Sequence, residues 1–96
     1  MIVSFADKVT EDLFHGRSSA KTRKLSANMQ RAALTKLDIL NAATSILDLK
    51  SPPGNHLENL EGNLKGSYSI RINDQWRLVF KFEDSNAYDV QIMDYH

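Results

Sequence analysis

The sequence predicts an α+β fold, with N-terminal helices packed on one face of a small, mainly antiparallel sheet. Three observations lead there. Leu25, Met29, Ala33, Leu37 and Leu40 recur at three- and four-residue spacing and make one apolar stripe. The tract SPPGN at 51–55 must stop any helix, because both prolines lack an N–H and the glycine is permissive. After it the apolar period falls to two, and helices followed by strands form separate layers.

Each element has a local reason. The opening MIVSF is short, apolar and β-branched, which suits a brief strand. Residues 7–15 suit a short helix with Asp7 as N-cap and Gly16 as its stop. The segment from Ser18 to Asp48 reads as one long helical stretch. In the second half, Tyr68, Ile70 and Ile72 share a face, with Ser69 and Arg71 opposite. Trp76, Leu78, Phe80 and Phe82 alternate with Arg77, Val79 and Lys81, and Tyr88, Val90 and Ile92 repeat the pattern. Joined by NDQ and EDSNA, these stretches predict a meander with one buried face.

The chain has 96 residues, 42% of them apolar and 25% charged, which suits a single domain over residues 1–96 with a modest core. It has no cysteine, so thiolate zinc sites, disulfides and cysteine nucleophiles are excluded. No apolar run exceeds three residues, so neither a membrane span nor a signal h-region is expected, and the expected location is cytoplasmic. Twelve basic residues balance twelve acidic ones. Their distribution is uneven: 13–37 lacks an acid and carries Arg17, Lys21, Arg23, Lys24, Arg31 and Lys36, whereas after Lys81 come Glu83, Asp84, Asp89 and Asp94 with no further Lys or Arg. Such a segment is either a phosphate-tracking surface or a solvated helix face.

The face that does not bury carries the chemistry. A three-residue NDQ loop keeps both apolar sets together only if Ile72 faces Trp76, which sets Arg71 opposite Arg77. Facing guanidinium groups repel. They call either for an anion or for neutralising carboxylates from elsewhere in the chain. The same parity sets Lys81 opposite Asp89 and Arg77 opposite Met93, and brings Tyr95 to the arginine face. Because Arg77 is off the core face, its loss is expected to cost little stability. In NHLENLEG, at 55–62, Leu57 and Leu60 are the expected anchors, leaving His56, Glu58 and Glu61 exposed. One base, one acid and cationic groups suit attack of an RNA 2′-hydroxyl on the adjacent phosphate. That reaction needs no metal or cofactor, and Asp94, His96 and His56 have no recognisable ligand spacing.

The stretch LENLEGNLKGSYSIRINDQWRLVF and the ending YDVQIMDYH resemble the HigB-type toxins of the RelE superfamily, along essentially the whole chain. The resemblance implies a RelE-like fold and a ribosome-dependent endoribonuclease acting on translated mRNA. It implies a cognate HigA-like helix-turn-helix antitoxin, with operator DNA bound only through that antitoxin. By position, Arg77 would stabilise phosphate, Tyr95 would orient or stack on a base, His96 would be general acid, and Asp94 would belong to the site. Arg71, Lys65, Arg23 and Lys24 would contact RNA. Where many HigB sequences have a histidine, this chain has Glu58, as in the YoeB-type toxins, so Glu58 is the expected base and His56 the fallback. The other reading is a weakly active or non-catalytic member that mainly binds the antitoxin and tunes transcription.

Overall fold

The structure is a computed structural model that describes residues 1–94. Helix α1, Lys8–His15, starts where the Asp7 carboxylate accepts the Thr10 amide at 2.9 Å. It ends at Gly16, whose φ of +69° is left-handed and suits a residue without Cβ. Its Thr10 is fully buried, and the Thr10 hydroxyl accepts the Ile92 amide at 2.9 Å, which docks the helix on the sheet.

The single helix expected over 18–48 is divided. Helix α2 covers Ala20–Arg23, helix α3 covers Ala27–Ala42, and a 3₁₀ turn covers Ile46–Lys50. Serine capping explains the breaks. Ser19 closes a capping box with Thr22, and Ser26 accepts the Met29 amide at 3.0 Å to begin α3. At the far end Asp48 accepts the Thr44 and Ser45 amides, which hold its carboxyl below the usual range. Within α3 the predicted stripe holds, with Met29, Ala33, Leu37 and Leu40 all buried, while Leu25 lies in the break before α3 and is only partly buried.

Four strands follow: β1 (Glu58–Asn59), β2 (Tyr68–Arg71), β3 (Trp76–Glu83) and β4 (Asn86–Asp94), antiparallel in that order. MIVSF forms no strand of its own. It runs parallel along the outer edge of β4, bridging Ile2 to Ala87 and Phe5 to Val90. Ile70, Leu78, Phe80, Val90 and Ile92 meet the α3 stripe to form the core.

The hairpin registers decide what shares a face. Between β2 and β3, Asn73 Oδ1 accepts the Gln75 and Trp76 amides at 2.9 and 2.8 Å, and Arg71 pairs with Arg77 as expected. Between β3 and β4, Arg77 pairs with Met93 as expected, but Lys81 faces Tyr88 rather than Asp89. The connecting turn has only two residues, Asp84 and Ser85, both at positive φ. That turn shifts the phase by one residue, and uncorrected it would have set Leu78 opposite Gln91. A bulge restores the phase: Asp89, at φ +52°, is the extra residue on β4, after which Leu78 pairs with Ile92. The Asp89 carboxylate still lies 3.8 Å from Lys81 Nζ.

Aspartate tolerates the left-handed conformation better than a β-branched residue does. Asp89→Val is therefore expected to lose roughly 1–2 kcal/mol or more in urea denaturation. Asp89→Gly should stay within about 1 kcal/mol of wild type. Equal losses for the two variants would show that the bulge does not carry the phase correction.

Candidate active site

Arg77 projects from the middle of the sheet on the side away from the helices. There it crosses diagonally to β2: its Nε donates to Ser69 Oγ at 2.8 Å and its Nη2 to the Ser69 carbonyl at 3.4 Å. Nη2 also donates to the His56 carbonyl, and Nη1 lies 3.7 Å from Glu58 Oε1. Arg77 is consequently only 7% exposed, and Ser69 is fully buried. This corrects the expectation that Arg77 could be lost at little cost. Its face is not the core face, yet the 55–60 segment covers it, with Leu60 and Val79 buried there.

The covering segment is set by its backbone. After the turn Pro53–Asn55, His56 takes a left-handed conformation, φ +44° and ψ +58°, which aims its carbonyl at Arg77. Glu58 then pairs with Ser69 across two residues of β1. Its side chain is 47% exposed, so one carboxylate both meets Arg77 and remains open to a ligand. The fallback base, His56, is an exposed residue and meets Arg77 through its carbonyl rather than its ring.

The repulsion expected between the facing arginines is answered within the chain. Glu58 serves Arg77, and Asp74, at 99% exposure, pairs with Arg71. Asp94 ends β4 opposite Trp76 and accepts from Gln75 Nε2 at 3.1 Å. Strand alternation directs it to the Trp76 side. Lys65 is exposed just after the turn Gly62–Leu64. Arg23 and Lys24 are exposed beside α2, which packs against α1 in the helical layer, away from the face that holds Arg77. Tyr95 and His96 lie outside the described residues. A cleft of about 260 Å³ between α1 and α3, bordered by Leu13, Arg17, Arg31 and Leu34, includes neither Glu58 nor Arg77.

Sequence reasoning missed three residues around this site. Ser69 was placed on the arginine face, and its hydroxyl was the available signal. Asn55, within a turn of apparently exposed residues, is fully buried and donates its amide to the Leu49 and Ser51 carbonyls, both at 3.2 Å. Lys36 adjoins the α3 stripe and donates to Asn55 Oδ1. Burial, and then the charge of Arg71, holds its ammonium pKa below the ordinary lysine value.

Arg77→Ala would leave Ser69 Oγ buried without its donor. The expected loss is about 1–3 kcal/mol in chemical denaturation, in addition to any effect on activity. A variant as stable as wild type would show that the Arg77 contacts contribute nothing net to the fold.

Comparison with known proteins gives this geometry a family. The chain is 42% identical over 87 residues to Toxin HigB-1 of Vibrio cholerae serotype O1, covering 91% of this chain and 90% of that protein. The YoeB–YefM complex of Staphylococcus aureus contains a chain of the same fold, with a TM-score of 0.63 at 23% identity, covering 100% of this chain and 95% of that one. YafQ of E. coli strain BL21(DE3) superposes with a TM-score of 0.59 at 18% identity, covering 98% of this chain and 91% of that one. The family model described as the RelE-like toxin of type II toxin–antitoxin system HigB matches residues 3–96. With its fold, its curated relative and its family model in agreement, the chain belongs to the HigB-like toxins of the RelE superfamily.

Proposed function

We propose that this protein is a ribosome-dependent endoribonuclease acting on translated mRNA in the cytoplasm, held inactive by a cognate HigA-like helix-turn-helix antitoxin. The observation that carries the proposal is the half-exposed Glu58 carboxylate 3.7 Å from Nη1 of a buried arginine. A base next to a fixed cation is what attack by a 2′-hydroxyl needs. Glu58 takes the 2′ proton as the new O2′–P bond forms. Arg77, held by Ser69 and the His56 carbonyl, meets the negative charge that grows on the phosphate oxygens. The P–O5′ bond breaks, and His96 donates a proton to the departing 5′ oxygen, leaving a 2′,3′-cyclic phosphate and a 5′-hydroxyl. Tyr95 stacks on or orients a base and Asp94 completes the site. Arg71 and Lys65, with Arg23 and Lys24 in the helical layer, contact the RNA. No metal takes part in these steps.

An antitoxin partner follows from the family, and the S. aureus relative was solved with YefM. Binding of operator DNA would come through the helix-turn-helix of that partner. Among the described residues no helix is long and apolar enough to cross a membrane.

The deciding experiment is cleavage of ribosome-bound mRNA, with new 5′ ends mapped, by wild type, Glu58→Gln and His56→Gln. Both substitutions are near-isosteric at exposed positions. Glu58→Gln is expected to lose about two to four powers of ten in rate, and His56→Gln much less. The reverse ranking would transfer the base role to His56. A wild type that cuts no message while still binding its antitoxin would favour the reading in which the chain tunes transcription.

A further inference from the structure

We propose that Lys36, with Arg71, forms a second phosphate-binding station for the RNA strand, next to the one at Arg77. The identity of the anion rests on the ribonuclease reading; the station rests on the contact that fixes Lys36 to Asn55 and on Arg71 lying across from Arg77, near enough for its charge to act on Lys36. Asn55 is fully buried, and both of its amide donor bonds go to the carbonyls of Leu49 and Ser51. Its Oδ1 is thereby fixed, and that oxygen receives Lys36 Nζ. A buried amide thus orients an ammonium that, among the described residues, meets no carboxylate. The setting makes this costly. Lys36 is partly desolvated and feels the positive charge of Arg71, and both effects disfavour its protonated form. An external anion would relieve both.

The neighbouring charges allow one to enter. The partner of Arg71 is Asp74, which is 99% exposed, and an exposed pair of this kind is weak and exchanges readily. Arg71 also stands directly across the strands from Arg77. Consecutive phosphates of a single strand could therefore meet Arg77 and then the Arg71–Lys36 pair. An ammonium has three donors, so Lys36 can keep its bond to Asn55 while donating to a phosphate oxygen.

The probe is a 5′-phosphorylated 2′-O-methyl trinucleotide, which cannot be cleaved because the attacking hydroxyl is blocked. It would be titrated against full-length wild type, Lys36→Gln and Lys36→Arg at several salt concentrations, following the lysine side-chain carbon resonances by NMR. Saturation should shift the Lys36 resonance in wild type. Lys36→Gln should bind about tenfold more weakly, with a salt slope smaller by about 0.7, and Lys36→Arg should restore most of both. A purely structural lysine would change the denaturation midpoint without changing the salt slope. No binding, no Lys36 response at saturation, or an unchanged affinity and slope in Lys36→Gln would overturn the station. Should Lys36→Gln fail to fold, the wild-type resonance and Lys36→Arg decide. If the expected binding pattern holds but wild type cuts no ribosome-bound message, the station stands and the ribonuclease reading falls.

Discussion

A buried guanidinium has to be fully coordinated, and much of this molecule follows from that requirement at Arg77. Burying an arginine is tolerable only when its donors find acceptors. Ser69 supplies two, from β2, and the His56 carbonyl supplies a third, from outside the sheet core. For that carbonyl to reach Arg77, the chain must leave SPPGN in a left-handed conformation at residue 56 and lie back along β2. A two-residue strand results, too short to be stable by pairing alone. Arg77 and the small apolar contact of Leu60 hold it in place. Glu58 is delivered to the arginine by the same fold-back, so the structural need and the proposed catalytic pair share one set of bonds.

This coupling explains how much of the molecule could be read from its sequence. Alternation identified the faces of β2 and β3, and the NDQ loop settled their register, because Asn73 closes that turn with its own side chain. Parity arguments failed at the next hairpin. There a two-residue turn and a bulge at Asp89 cancel each other only beyond the bulge: Val90 and Ile92 keep the expected core face, whereas Tyr88, before the bulge, turns to the Lys81 face and Ala87 takes the core position. The long helix divided because Ser19 and Ser26 compete for backbone amides, a local effect that an apolar stripe does not register. The burial of Arg77 was invisible for a different reason. Periodicity shows which face a residue takes, but not whether a distant segment will cover that face. Exposure in NHLENLEG points to Glu58 together with His56 and Glu61, and the YoeB-type resemblance chooses among them, whereas Asn55 and Lys36 owe their roles to a contact between positions 19 residues apart. Tyr95 and His96, two residues of the terminal DYH that together with NDQWRL carries the most specific part of the resemblance, fall outside the described residues.

Net charge is a poor guide to what this surface can bind. The chain sums to zero, so it exerts little long-range pull on a polyanion, and at physiological ionic strength fields fade within about 8 Å in any case. Local arrangement matters more. The carboxylates that answer Arg71 and Arg77 come from exposed side chains, Asp74 and Glu58, and Lys36 is answered by a neutral amide oxygen. Among the described residues, a phosphate approaching Arg71 or Lys36 meets an exposed carboxylate or a neutral amide oxygen, while Arg77 is held from behind by Ser69 and the His56 carbonyl and Lys36 by Asn55. Positive charge fixed by buried neutral groups and masked by exposed acids can bind an anion without making the whole protein basic. On the proposed reading, discrimination depends on spacing, because a ligand whose charges match the separation of the cations gains from each of them.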